Sequence, residues 1–419
     1  MNMKIIKNDP CIKTIAHGDM KTFEDGLQPY LYVSREGTLM AQAQTARPTK
    51  GSRKMNYHAQ QDTLISRDGG LSYQLYKFES VEDDPFFEGG MIQLSDGSFY
   101  GLDTYVVPTD DERDDWGEGE AWVSRDDLKT FEGPFKPTFH IPKVDFNSSR
   151  DDGGNPHRAA RLHRTILELP DGSMLLTAYL IFKGDIAPAG YCPTMIKMRV
   201  VILRSVNKGM HWEYAGTVAT DIGIGTEGFG EPCMVRIGKG HHTGRLLCVM
   251  RTGRDMYESY SDDSGKTWSD YRIVKLPVDI YAISSWREQF EWRYENAKPE
   301  MRSLAGSIVD PDIIQMSNGL LAMSFGVRIP EKLCWEDPTH PVNGVYCAFS
   351  KNGGESWSHV IQLLSGEMTT HYTAIRECGE NRLVYHYDAG VWGFWDDKNR
   401  DKYESRHGRA CFIDVDRCE

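Results

Sequence analysis

One short phrase, Ser-x-Asp/Asn-x-Gly-x-Thr/Ser-aromatic, recurs five times in this chain, and it narrows the fold more than any other feature. The fullest copy is Ser261-Asp262-Asp263-Ser264-Gly265-Lys266-Thr267-Trp268, and looser copies begin at Ser66, Ser124, Ser205 and Ser350. Each position has a physical task. A serine hydroxyl and an Asp or Asn side chain can bond nearby backbone groups and hold a turn shut. Glycine accepts the positive φ such a turn often needs, and the aromatic can fold back over apolar surface.

A second repeat runs beside the first. Short, strand-like segments follow turn residues at Gly37, Gly97, Gly172, Gly244, Gly319 and Asn381, and subtraction gives gaps of 60, 75, 72, 75 and 62 residues. Periodic strand-rich units mean radial or linear repetition. A propeller blade is usually roughly 40–50 residues, so these units carry loop insertions. Six anchors predict an all-β, six-bladed β-propeller, read as a single domain over residues 1–419. The last unit has no copy of the phrase, and the segment around Ile12–Ala16 is expected to pair there and close the ring.

Composition bounds the partners. Hydrophobic residues make up 40% and charged residues 26%, enough for an ample core. A formal net charge of −13 argues against nucleic acid or an anionic membrane as a partner. An acidic small substrate needs only a local arginine cluster. No apolar run approaches the ~20 residues of a membrane span, and the start has no signal-peptide core. The chain as written reads as cytoplasmic, or as periplasmic or secreted if a leader has been removed. Nine scattered cysteines form no zinc spacing and no disulfide framework, so buried reduced thiols are expected and no metal or organic cofactor is implied.

The residues just upstream of each anchor are the candidates for chemistry, because innermost propeller strands converge on one channel. They are Gln28-Pro29-Tyr30, Glu88-Gly89-Gly90, His163-Arg164, Glu231-Pro232, Asp310-Pro311-Asp312 and His371-Tyr372. Charged groups there are costly unless used or paired. Asp310 and Asp312 could hold substrate hydroxyls, act as a second acid, or cap the turn. Arg158 and Arg161, beside His157, add a basic cluster before His163. His241-His242 reads as a solvated turn pair. The insertion from Tyr281 to Arg302, with Trp286, Phe290, Trp292 and Tyr294, could stack on the rings of a ligand or pack on the rim.

The repeated phrase resembles the Asp-box of the sialidase (neuraminidase) superfamily. The likeness is sharpest where Glu231-Pro232-Cys233-Met234-Val235 leads through Gly244-Arg245-Leu246-Leu247 to Arg251. It implies that Glu231 assists a tyrosine nucleophile, matched by Tyr372, and that Arg251 is one of three arginines on a sugar carboxylate. The pairing makes chemical sense, since a phenol of pKa ~10 needs a base to become a nucleophile near neutral pH. The chain departs from the family in two places. The family's Phe-Arg-Ile-Pro segment is replaced by Leu27-Gln28-Pro29-Tyr30, so its first arginine is missing, and Arg328-Ile329-Pro330 reads as a coincidence. The loop that should hold the acid/base, from Arg47 to Asp62, offers Asp62 or His58 as proton donor.

The resemblance thus implies an exo-acting glycoside hydrolase on a glycan ending in an acidic sugar, sialic-acid-like or uronic. Tyr372, Glu231, Asp62, His58 and His163 are the expected catalytic residues. Arg251, Arg164, Arg47, His371, Asp310 and Asp312 are expected to bind substrate, with Arg254 or Arg302 able to add a further carboxylate contact. Two alternatives stay open. One is a polysaccharide lyase in which His163, or His371 with Tyr372, abstracts a proton α to a uronate carboxylate. The other is a carbohydrate-binding propeller without catalysis.

Overall fold

The computed structural model describes residues 3–48, 59–79, 83–109, 113–146, 149–152, 155–157, 159–190, 195–283, 305–331, 333–335, 337–390 and 406–418. Strands dominate, and they come in antiparallel meanders. The first sheet runs Leu27–Val33, Leu39–Pro48, Ala59–Ser66, Gln74–Tyr76, and the second Gly90–Gln93, Phe99–Leu102, Ala121–Ser124, Glu132–Phe135. In the third, Ala160–Glu168, Met174–Leu180, Arg199–Ser205 and His211–Ala219 form the same meander. Three further strands, Tyr105–Pro108, Trp116–Glu118 and Thr138–His140, join its edges and close it into a barrel.

The fourth sheet is Gly230–Arg236, Leu246–Arg251, Tyr257–Ser261, Arg272–Ile273. The fifth is Ser307–Gln315, Leu321–Arg328, Gly344–Ser350, His359–Ser365, with Lys4–Lys7 on its outer edge. The last takes Thr373–Gly379, Arg382–Ala389 and His407–Arg417 from the end of the chain and Ile12–Phe23 from its beginning. The fold is therefore all-β, with five open sheets and one closed sheet among these, set in a propeller-like arrangement. No described helix is long and apolar enough to cross a membrane.

The inner strands are apolar on both faces because both faces are covered. Met174–Leu180 and Leu321–Arg328 are buried at every residue. Each gap between successive sheets holds its own apolar cluster. Tyr30 and Met40 meet Phe87 and Trp122 between the first two sheets, and Leu175 and Val200 meet Met234 and Cys248 between the third and fourth. Leu31 and Ala41 meet Ala374 and Phe412, so the last sheet packs on the first. The eight described cysteines are free thiols, five of them buried.

The repeated phrase folds the same way each time. Ser261 Oγ donates to Asp263 Oδ1 at 2.8 Å and accepts from the Gly265 N–H at 2.8 Å, while Asp263 Oδ1 accepts from the Thr267 N–H at 2.9 Å. Ser66/Asp68, Ser124/Asp126, Ser205/Asn207 and Ser350/Asn352 repeat the pattern. All five turns join third and fourth strands. The last sheet has no such turn because those two strands come from opposite ends of the sequence. Ile12–Ala16 does lie there, paired with Arg417–Ile413. The six anchors sit between first and second strands, every one at positive φ, from 55° at Asn381 to 97° at Gly244.

Candidate active site

Five of the six inner strands have a non-glycine residue in the left-handed region in their first half, at their midpoint or just before them: Gln28 (φ 54°), Arg164 (63°), Glu231 (40°), Asp310 (50°) and His371 (68°). The second sheet has Gly90 at 119°. Four of these strands also slip register with their neighbour at that point. Such a backbone costs on the order of 1–3 kcal/mol per residue, and it persists only where packing and bonding over-determine it. Here the kink turns the residues singled out in the sequence toward a shared centre.

One group gathers around Glu231. The Tyr372 hydroxyl donates a short hydrogen bond to Glu231 Oε1. Arg251 Nη1 donates to the same oxygen at 2.6 Å and lies 3.4 Å from the Tyr372 hydroxyl, while its Nη2 reaches Glu227 Oε1 at 2.8 Å. The Asp310 N–H points at Glu231 Oε2 from 3.3 Å. Burial by itself would raise the Glu231 carboxyl, but Arg251, the Tyr372 hydroxyl and Arg328 outweigh it and hold it at about 2. Burial and the Glu231 charge push the Tyr372 phenol well above its ordinary value. At rest the pair is a neutral phenol on a carboxylate.

Arg328, set aside in the sequence as coincidence, belongs to this group. It ends the second strand of the fifth sheet as Arg251 ends that of the fourth, and its guanidinium stands 5.6 Å from the Tyr372 ring and 5.0 Å from that of Trp335. It is 3% exposed and donates to the Thr370 carbonyl at 2.8 Å. No described carboxylate lies within ion-pair distance of it. The signal available in the sequence was this shared strand-end position, and the two-residue difference in distance from the anchor hid it.

A second group lies beside the first. Arg161 Nη2 bonds both Glu88 oxygens, at 2.9 and 3.1 Å, and the Tyr30 hydroxyl donates to Glu88 at 2.8 Å. His163 Nδ1 faces the Pro232 carbonyl at 2.9 Å, so it carries the proton there, and Nε2 stands 3.4 Å from the Tyr30 hydroxyl. Burial and the neighbouring Arg164 push this imidazole down to about 3. Between the groups Arg164 bonds both Asp310 oxygens, at 2.6 and 2.7 Å, and lies 3.2 Å from Asp312, which Arg376 also holds at 2.7 Å.

Exposure separates these residues. Tyr372, Glu231 and Arg251 keep 6, 7 and 5% of their surface, whereas His163, Asp310 and His371 keep none. His371 donates from Nε2 to the Asn343 amide oxygen at 3.0 Å, and burial holds it well below its ordinary value. Asp62 and Arg47 are placed elsewhere: they pair with each other at 2.6 Å on the first sheet, and Lys77 reaches Asp62 at 3.2 Å. In place of the missing arginine, Gln28 accepts from the Gln44 amide at 2.7 Å, and its N–H donates to Asp388 at 2.8 Å. Asp388 also takes the Thr369 hydroxyl and the Thr370 N–H, and burial raises it. Sequence reasoning also missed Glu227 and Gln44, which no repeat or motif marks.

His58, Arg158, Arg302, Trp286, Phe290, Trp292 and Tyr294 lie outside the described residues. His242 pairs with Glu355 at 2.7 Å on the surface, as a turn residue would. No described group of His, Cys, Asp or Glu is placed to hold a metal ion. A hollow of about 590 Å³ bordered by Asp96, Arg125 and Lys208 opens at the turn end of the second and third sheets, and Glu231, Tyr372 and Arg251 do not line it.

No family model matches this sequence, and no curated protein matches it either. Solved structures do match in shape. A Dyadobacter fermentans protein described as of unknown function aligns at a TM-score of 0.63 with 14% identity, over 97% of this chain and 100% of its own. The Hadza microbial sialidase Hz136 aligns at 0.55 with 11% identity, over 94% of this chain and 66% of its own. The Penicillium chrysogenum α-L-arabinanase, solved with arabinobiose, aligns at 0.55 with 13% identity, over 96% and 98%. The chain thus shares its fold with propeller glycoside hydrolases.

Proposed function

We propose that this chain is a six-bladed propeller glycoside hydrolase acting on the terminal sugar of a glycan, with Tyr372 as nucleophile and Glu231 as its base. The closed third sheet counts as one blade, a four-stranded meander with three added strands. The observation that carries the reading is the bonded set Tyr372–Glu231–Arg251, whose members keep 5–7% of their surface where Asp310 and His163, bonded beside them, keep none. Proton transfer from the phenol to Glu231 would make the phenolate as it bonds the anomeric carbon, and the leaving oxygen would take a proton from a donor. Water would then release the sugar from the tyrosine. A phenol also spares an anionic sugar the approach of a second carboxylate.

Arg328 supports an acidic substrate, since a buried guanidinium facing the tyrosine with no carboxylate partner among the described residues suits one from the sugar. Of the donors expected from the sequence, Asp62 is committed to Arg47 and Lys77, which leaves His58. Arg164, Asp310 and Asp312 are proposed to position Glu231 and the Thr373 backbone rather than touch substrate, because all three are sealed and bonded to one another or to that backbone. The burial of His163 and His371, which seals both from substrate and lowers their basicity, weighs against the lyase.

A screen of aryl glycosides of sialic, uronic and neutral sugars, beside oligouronates followed by ultraviolet absorbance, tests this. Release of the aryl alcohol from an acidic sugar is expected, falling about 100-fold or more in both Tyr372→Phe and Glu231→Gln. Equal release by the variants would reject the assignment, and new absorbance without release would point to the lyase.

A further inference from the structure

We infer that Cys11 and Cys418 form a redox-sensitive disulfide site at the seam where the two ends of the chain meet. The Cys418 N–H donates to the Cys11 carbonyl at 2.9 Å, continuing the antiparallel ladder one step beyond the Ile12–Arg417 pair. Residues facing each other in such a ladder have Cα atoms about 4.5–5.5 Å apart, with side chains on one face. A disulfide accepts Cα separations of about 4.4–6.8 Å. Both thiols are free; Cys418 is exposed and Cys11 half-buried, whereas five of the other six described cysteines are buried. The Cys418 sulfur also leans toward the Cys11 side of the seam, 4.0 Å from the Pro10 carbonyl. The Cys11 backbone is itself fixed, its N–H held by Asp9 at 3.0 Å and Asp9 in turn paired with Lys351 at 2.9 Å.

The chemistry balances with hydrogen peroxide as oxidant. One thiol is oxidised to a sulfenic acid as the peroxide O–O bond breaks and one water leaves. The second sulfur then attacks the sulfenic sulfur, an S–S bond forms and another water departs. Two electrons pass from the thiol pair to peroxide, and a thiol reductant reverses the change.

Geometry also says what the bond does. Ile12–Phe23 is the outer strand of the last sheet, and only noncovalent pairing joins it to His407–Arg417. A link at Cys11–Cys418 ties the two ends together across nearly the whole chain, where chain-entropy arguments give a crosslink its largest effect.

The test treats the full chain with peroxide, then reads intact mass, a non-reduced peptide map and the thermal midpoint. The expected result is a loss of about 2 Da, one peptide joining Cys11 to Cys418, and a midpoint raised by several degrees that falls back with reductant. Cys11→Ser and Cys418→Ser should each abolish all three changes, while Cys378→Ser should abolish none. Oxygen addition without a bridge, a bridge between two chains, or a bridge unaffected by these substitutions would overturn the assignment.

Discussion

Arg328 shows how little of a residue's role its neighbours in sequence reveal. Arg251 is shared between Glu227 and Glu231, Arg161 is held by Glu88 and Arg164 by Asp310 and Asp312, whereas among the described residues Arg328 has a backbone carbonyl as its polar partner and faces Tyr372. A charge-assisted hydrogen bond is worth about 1.5–3 kcal/mol, or roughly 10–150-fold in an equilibrium. Arg328→Met should therefore raise KM for an acidic aryl glycoside by about that factor while leaving a neutral glycoside unaffected. Equal losses on both would make Arg328 a scaffold residue.

At the scale of the element, five of the six sheets divide their labour between two ends. Inner-strand kinks gather the charged residues at one end, and the serine-aspartate or serine-asparagine turns close the other. Asp263 accepts backbone bonds from Lys266 and Thr267 and the Thr267 hydroxyl, so no other residue of that turn can replace it. Asp263→Ala should lower stability by about 1–2 kcal/mol, as loss of a capping side chain does. Turnover should be unchanged, because the turn and Glu231 lie at opposite ends of the fourth sheet. A denaturant midpoint and a kcat measured together would check both halves; an intact midpoint would remove the turn from the list of stabilising features. These turns were legible in the sequence because their bonds are local. The kinks were not, because Gln28, Arg164 and Glu231 adopt left-handed backbones only under the packing of neighbouring sheets.

Across the whole molecule, burial has neutralised histidines that water would protonate. His386 lies in the middle of the last sheet, with Nε2 2.8 Å from the Tyr73 hydroxyl, and burial lowers it from 6.5 to about 3. Between those values the unfolded chain binds a proton that the folded chain does not, so this group's contribution is full above pH 6.5 and is lost as pH falls toward 3. The slope is about 1.4 kcal/mol per pH unit. His386→Gln should therefore flatten the loss of stability between pH 6 and 4 by about that amount, read as urea midpoints across the range (~1.4 kcal/mol per unit). An unchanged slope would mean that His386 titrates normally in the folded protein.

The sequence by itself determined the repeat, its spacing and the serine turns of the first five units, which depend on short-range hydrogen bonding, positive-φ residues and strand pattern that any window of the chain displays; the candidacy of Glu231, Tyr372 and Arg251 came from the resemblance those repeats carry. Only the tertiary structure decided which charges meet. It brought Arg328 to Tyr372, gave Glu88 to Arg161, moved Asp62 and Arg47 into a pair of their own, and set Cys11 against Cys418. The physical reason is separation along the chain: strand pairing and sheet packing juxtapose residues that no short window contains, from Arg47 and Asp62, 15 positions apart, to Cys11 and Cys418 at opposite ends, and burial then fixes which of them can remain charged.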